Sequence, residues 1–346
     1  MSANFVFDLV DPAVLTQYVR AYDNEVLRNQ MALGAWLPDV NNDALEYNIN
    51  QSTWRDVDVA EYRSFDVQPK MAGRQGFSRI RGELVPLSRQ IPLTEEDTLR
   101  LNAMGNAQGN RSLINAIYAD AERMVRSVKL RIELARGGLL TTGKFTLAEN
   151  GLFMEADFGM PATHKPVAAA AWSNPATDIL GDLLAWTQLY VDDNGEEPGV
   201  IIANRTILGY MLNNTAMRQA AAFNGTTPTR INMETVAAIF AANGLAPVVI
   251  YDTVVRVNGV ITRVIPVDNL LMLPPSGTPL GETQWGVTAE ALKLAAKGMI
   301  AARDAAGIVA VNLENDNPVQ TFTLATGIAV PLLGNPNGVI CADVIP

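Results

Sequence analysis

The strongest constraint in this 346-residue sequence is a long helical pattern at residues 111–136. Apolar residues recur at three- and four-residue steps from Ile114 to Ala135, which is the spacing of one face of an α-helix. Gly137 and Gly138 follow this pattern. They predict that the helix ends there, because glycine is the usual residue just after a helix C-terminus. The chain is therefore expected to fold around one helix of about seven turns.

The opposite face of this helix is basic. Its cations are Arg123, Arg126, Lys129, Arg131 and Arg136. A solvated helix flank is the simplest interpretation, since charged side chains usually line the outer face of an amphipathic helix, and contact with DNA is the alternative.

A second feature is an alternating, glycine-containing stretch from Tyr47 to Pro92, which predicts a long β-hairpin with Gly73 and Gly76 at its tip. Apart from Glu83, the charges of residues 68–90 are basic, and the cations are Lys70, Arg74, Arg79, Arg81 and Arg89. Two interpretations stay open. The cations form either a solvated edge that prevents aggregation or a contact with an acidic neighbouring subunit.

The rest of the chain mixes helices and strands. Asp11-Pro12 predicts the start of a short helix within 11–29. Asn150-Gly151 and Asn258-Gly259 each separate two alternating runs and predict tight hairpins. Short helices and strands then follow one another between about residues 174 and 285. The expected fold class is therefore α+β.

Composition argues against catalysis. The chain has one histidine, His164, and one cysteine, Cys341, whereas zinc sites and nucleophilic relays need clustered ligands or a positioned base. We expect no catalytic residue, no metal and no cofactor. A formal net charge of −10 disfavours tight nucleic-acid binding. No stretch has the length of an apolar membrane span, and the N-terminus lacks an export signal.

Two motifs imitate binding loops. Gly138 to Lys144 has the spacing of a phosphate-binding loop, but Phe145 replaces the expected hydroxyl residue, and a helix precedes the loop where one should follow it. The acidic residues at 192–197 alternate as in a calcium loop, but Glu197 stands where that loop needs glycine. We expect a solvated loop there.

The order of these local patterns resembles the lambda-like major capsid proteins of tailed phages, the capsid protein E family. The resemblance covers most of the chain and is carried by residues 139–144, 154–159, 172–178, 199–202, 208–213, 286–290, 331–332 and 335–338.

The resemblance implies the Hong Kong 97 phage fold, with an N-terminal arm, an extended loop, a peripheral domain with a spine helix, and an axial domain. On this mapping the parts are the arm 1–47, the extended β-hairpin loop 48–93, the peripheral domain 94–170 with its spine helix 111–136, the axial domain 171–285, and a return to the peripheral domain at 286–346.

The resemblance also implies partners. Many copies of the chain would form pentamers and hexamers, joined by scaffold, portal and possibly a decoration protein, around packaged double-stranded DNA and without a membrane. Lys70, Arg74, Arg79, Arg81 and Arg89 would contact neighbouring subunits, and Arg123, Arg126 and Lys129 would line the inner surface. The chain would assemble in the host cytoplasm and end in the virion. The alternatives are an encapsulin-like compartment shell and a phosphate-binding enzyme.

Overall fold

The structure is a computed structural model that describes residues 4–5, 10–21, 31–51, 62, 65, 78–94, 96, 106–222, 227–301, 306–316 and 319–345. The chain forms two compact units. Unit 1 contains residues 1–47, 81–136 and 282–332, and unit 2 contains residues 48–80, 137–281 and 333–346.

Five of the described α-helices begin where the sequence supplies a side-chain cap. Asp178, Asn204, Asn214, Asn232 and Thr288 each accept a hydrogen bond from the backbone N–H three residues on, which stabilises a helix N-terminus. The helices are α1 Pro12–Ala21, α2 Asn106–Thr142, α3 Ile179–Asn194, α4 Arg205–Asn213, α5 Thr215–Ala220, α6 Met233–Ala242 and α7 Ala289–Ala296.

Helix α2 confirms the central helical pattern but is longer than predicted, at 37 residues. The prediction that Gly137 and Gly138 end it is wrong. The helix continues to Thr142 and ends at Gly143, whose φ of 71° is left-handed and whose N–H donates to the Leu139 carbonyl. Glycine is needed at 137 for another reason, because a Cβ there would collide with the Val264 carbonyl oxygen.

Unit 1 is built on a six-stranded sheet. Its strands are β1 Asn4–Phe5, β2 Asp39–Asn41, β5 Pro86–Leu93, β13 Gly281–Trp285, β14 Val309–Asp316 and β15 Val319–Leu333. The order is β1-β14-β15-β13-β2, and β5 also pairs with β15. Strands β14 and β15 are antiparallel, whereas β13 and β2 are parallel.

The main core of unit 1 joins α1, α2 and this sheet. It includes Leu15, Val19, Ile117, Val125, Val128, Ile132, Ala310, Ala325 and Ala329. Thr16 is buried against the sheet and donates a hydrogen bond to the Ala310 carbonyl. The helix predicted within 11–29 is confirmed over Pro12–Ala21, and residues 22–30 lie outside the described residues.

Unit 2 contains a four-stranded sheet in the order β16-β12-β8-β9. Its strands are β8 Val200–Ala203, β9 Val248–Ile250, β12 Asn269–Leu273 and β16 Ile340–Asp343. Helices α3 to α6 cover it, and the stacked rings of Trp172 and Trp186, 5.7 Å apart, belong to the core. The α+β class expected from the sequence is confirmed.

The two tight hairpins are also confirmed. Strands β6 Lys144–Glu149 and β7 Leu152–Asp157 form the first, and β10 Val254–Val257 and β11 Val260–Arg263 form the second. The turn residues Asn150, Gly151, Asn258 and Gly259 have φ values of 50°, 80°, 50° and 85°. These positive values are those of hairpin turns that asparagine and glycine tolerate.

The predicted long hairpin is described only at its base. Strand β3 Glu46–Gln51 pairs with β4 Ser78–Glu83, and most residues of the tip lie outside the described residues. The following strand, β5, does not extend this hairpin. It pairs with β15, with Pro86 opposite Ile328 and Leu93 opposite Thr321.

Candidate functional site

The base of the long hairpin carries an exposed basic face. Arg79, Arg81 and Glu83 occupy alternate positions of β4 and are all exposed, so they share one face of the strand. Arg79 donates a hydrogen bond from Nε to Oδ1 of Asn48. Arg89 is exposed on β5, which belongs to the six-stranded sheet. Two further predicted cations, Lys70 and Arg74, lie outside the described residues.

A second basic face lies on α2. Arg123 and Arg126 are exposed and Lys129 is half-buried, while Ile117, Ala121, Met124, Val128 and Ile132 of the same helix are buried in the unit 1 core. Arg123 forms an ion pair with Asp120 at 3.4 Å. Burial raises the pKa of Asp120, and the charge of Arg123 partly offsets this. The helix therefore presents one apolar face inward and a basic face to solvent.

Unit 1 also contains a charge cluster centred on the buried Arg136, in which Glu133 is buried and Asp39 is exposed. The guanidinium donates hydrogen bonds to the Thr283 hydroxyl at 2.9 Å, to Oε2 of Glu133 at 3.3 Å and to Oδ1 of Asp39. Glu133 is fully buried and also accepts from the backbone N–H of Leu33 at 3.0 Å. The cluster thus ties residues 33–39 to helix α2 and strand β13.

The prediction that Arg136 lies on the solvated basic face of the helix is wrong. The Arg136 side chain is buried, with only 5% of the residue exposed. Sequence reasoning missed the cluster, although Glu133 and Arg136 are three residues apart, a spacing that pairs side chains on a helix. The partners Asp39 and Thr283 come from distant parts of the chain, so no local pattern identifies them.

The single histidine connects three segments of unit 2. His164 is fully buried. Its Nδ1 donates to the Val339 carbonyl oxygen at 2.8 Å, and its Nε2 lies 2.8 Å from Oδ2 of Asp193 at the end of α3. Asn194 adds a hydrogen bond from Nδ2 to the Asn337 carbonyl oxygen at 2.8 Å. These hydrogen bonds hold residues 336–339 against His164 and the end of α3.

The hairpin β6–β7 pairs charges at its base and exposes apolar residues at its tip. Lys144 Nζ lies 2.9 Å from both Glu155 and Asp157, and these bonds raise the lysine pKa. The pKa of Asp157 is lowered by the Gly159 N–H first and by Lys144 second. Phe153 at the tip is 84% exposed.

The motifs that imitate binding loops fail on geometry. Residues 138–142 are helical, so their N–H groups bond within the helix and cannot cradle a phosphate. Across the described ranges, no group of three or more histidine, cysteine or acidic side chains is placed to hold a metal. No helix in the same ranges combines the length and apolar character of a membrane span.

Comparison with known protein families identifies the family of the chain that carries these surfaces. The family described as phage major capsid protein E matches residues 14–344, nearly the whole chain. The chain belongs to this family. It is a major capsid protein, a structural subunit of a phage head and not an enzyme. The basic faces of β4 and α2 are therefore surfaces of a shell subunit.

Solved structures show the same fold. A proposed prophage capsid protein from E. coli CFT073 superposes with a TM-score of 0.63 at 13% identity, covering 99% of this chain and 100% of that chain. A phage-related protein from Bordetella bronchiseptica RB50 gives 0.56 at 14% identity, with 97% of each chain covered. The capsid of a native GTA particle gives 0.50 at 13% identity, with 94% of each covered. No curated protein matches the sequence significantly.

These likenesses confirm the Hong Kong 97 capsid fold that the sequence resemblance implied. Membership of the family places the protein in the virion as a self-assembling shell subunit. The phosphate-binding enzyme is thereby excluded, and the phage head is favoured over a bacterial compartment.

Proposed function

We propose that copies of this capsid protein form pentamers and hexamers, assembled in the host cytoplasm with scaffold and portal proteins and with a decoration protein as a further partner. Double-stranded DNA fills the shell. The observation that carries this proposal is the family match over residues 14–344. A single chain type that fills both ring sizes needs rigid parts joined by adjustable ones, and two compact units suit this need.

The extended loop 48–93 is proposed to lie on neighbouring subunits through Lys70, Arg74, Arg79, Arg81 and Arg89. Support comes from the exposure of Arg79, Arg81 and Arg89 in a chain whose net charge is −10. A basic projection from an acidic protein is attracted to other copies of that protein. Such complementarity favours fast and specific association.

Arg123, Arg126 and Lys129 are proposed to face the interior of the shell and to touch DNA phosphates without reading sequence. Arg123 and Arg126 are exposed on α2, and phosphate contacts of this type are weakened by salt. A few cations on an acidic chain give weak contacts, which suits a container that must also release its DNA.

The division into parts is also a proposal. The arm is 1–47, the peripheral domain is 94–170 with the spine pattern 111–136, the axial domain is 171–285, and the chain returns at 286–346. Support comes from the division into compact units, since residues 171–281 lie in unit 2 and the spine pattern 111–136 lies in unit 1, although residues 137–170 also belong to unit 2.

The test is expression with the neighbouring phage assembly genes, followed by nuclease treatment and measurement of the protected DNA in purified particles. We expect protected double-stranded DNA in the wild-type particles. The triple variant Arg123→Gln, Arg126→Gln, Lys129→Gln should form shells at wild-type yield. Its particles should lose their DNA at a lower salt concentration than wild-type particles do. Particles that hold a cargo protein and no DNA would contradict the proposal.

A further inference from the structure

The hairpin β10–β11 of unit 2 leaves apolar side chains uncovered on both faces. Val257 is opposite Val260, and Arg256 is opposite Ile261, so these two pairs point to opposite faces. Val254, Val260 and Ile261 are 47%, 67% and 66% exposed. A two-stranded ribbon is marginally stable in water by itself. A second protein surface that covers the exposed apolar side chains of the hairpin would stabilise the hairpin.

The same hairpin is positively charged. Residues 254–263 include Arg256 and Arg263 and no acidic side chain. Arg263 forms an ion pair with Asp252 at 2.8 Å. Arg256 is exposed, and within the described ranges no ion pair is seen for it. A surface that covers the hairpin should therefore carry negative charge near Arg256.

Unit 2 contains an acidic segment of this kind at residues 192–197, where the last turn of α3 ends and the chain turns at Gly195; we call it the acidic turn. Gly195, with a φ of 76°, closes the helix. Glu196 and Glu197 follow it and are both exposed, as is Asp192. The turn is compact and backbone-defined, since the Gly195 N–H donates to the Val191 carbonyl at 2.7 Å.

The hairpin and the acidic turn emerge from opposite ends of the four-stranded sheet. The turn leads directly into the amino end of β8 at Val200. Strand β9 is parallel to β8, with Val248 opposite Ile201 and Ile250 opposite Ala203. The hairpin begins at Val254, just beyond the carboxyl end of β9. One copy therefore cannot bring its own hairpin onto its own acidic turn.

We propose that hairpin β10–β11 of one copy docks on the acidic turn 192–197 of the next copy, with Arg256 facing Glu196 and Glu197. The inference rests on the proposed ring assembly and names one contact within it. A ring closes through head-to-tail interfaces, in which each copy contributes two different surfaces. The opposite ends of the sheet supply these surfaces, and the charges fix the register. Val254 and Ile261, which share the face of Arg256, lose their exposure to water.

Charge reversal tests the contact. Arg256→Glu and the pair Glu196→Lys with Glu197→Lys each place like charges together, and each should lower the fraction of protein in rings and shells by about tenfold in sedimentation velocity. The combined variant restores opposite charges and should return to within about twofold of the wild type. It is the matched control, because it contains every substitution. Thermal unfolding of the unassembled variants should match that of the wild type.

A mixture gives a sharper readout. When the two reversed chains are mixed in equal amounts, alternating copies make only favourable contacts in a ring with an even number of subunits, whereas a ring with an odd number keeps at least one unfavourable contact. Native mass spectrometry should show even-numbered rings and about tenfold fewer odd-numbered rings than for the wild type. Single reversals that assemble like the wild type, or a combined variant no better than the singles, would overturn the contact. Either result leaves the proposed function standing, because wild-type shells test that separately.

Discussion

Nη1 of Arg136 lies 3.3 Å from Oε2 of Glu133, and the side chains are only 6% and 0% exposed. Removing one partner of a buried ion pair leaves the other charge without compensation. Arg136→Ala should therefore lower the free energy of unfolding by about 3–5 kcal/mol. Urea denaturation of the unassembled chain measures this change.

Arg123 provides the control on the same helix. Its side chain is 73% exposed and its ion pair with Asp120 is 3.4 Å long. Solvent-exposed pairs contribute little, so Arg123→Ala should cost less than about 1 kcal/mol. Equal losses for the two variants would show that the Arg136 cluster does not hold residues 33–39 as described.

The adjacent glycines of α2 should respond to alanine in opposite directions. A methyl group at Gly138 meets nothing within 4 Å, so Gly138→Ala should stabilise the helix by about 0.5–1 kcal/mol. At Gly137 the same group collides with the Val264 carbonyl, and Gly137→Ala should cost about 1–3 kcal/mol. Thermal unfolding of the pair tests this. A stabilised Gly137→Ala would contradict the close approach of Val264.

These two glycines also show where sequence reasoning reaches its limit. The apolar repeat from Ile114 to Ala135 predicts α2 because helix periodicity is a local property of the chain. The helix in fact ends at Gly143, and the need for glycine at 137 comes from Val264, which approaches Gly137 from a distant part of the chain. Glycine at 137 is consistent both with a helix stop and with a close contact, and only tertiary structure distinguishes the two.

Asp157 should make stability depend on acid pH. Its pKa is lowered in the folded protein by the Gly159 N–H and by Lys144. A lowered carboxyl pKa contributes stability above the ordinary value of 3.8, and this contribution is lost as pH falls through the folded value. The stability difference between the wild type and Asp157→Asn should therefore be largest at neutral pH and shrink below pH 3.8. Thermal unfolding across this range measures it, and a constant difference would argue against the Lys144–Asp157 pair.

Cys341 should be unreactive in the folded protein. It is buried, and burial raises the pKa of its thiol to about 11, although the hydrogen bond from Asn269 acts in the opposite direction. The thiolate is the reactive form. A colorimetric thiol reagent at pH 8 should label the native chain slowly and the urea-unfolded chain rapidly. Equally fast labelling of both would mean that β16 opens freely.

The candidate surfaces were predictable to different degrees. Exposed cations such as Arg79 and Arg123 follow from strand alternation and helix periodicity, which are readable in one dimension. The burial of Arg136 was not predictable, because its partners Asp39 and Thr283 lie far from it in sequence. The opposed positions of the acidic turn and hairpin β10–β11 depend on the parallel pairing of β8 with β9, which composition does not reveal.

The most direct test of the central claim is imaging of the assembled protein. The chain would be expressed with its neighbouring phage assembly genes, and the purified product examined by negative-stain electron microscopy. The family membership over residues 14–344 predicts hollow icosahedral shells of uniform diameter. A well-folded protein that stays monomeric under these conditions would contradict the assignment as a shell subunit.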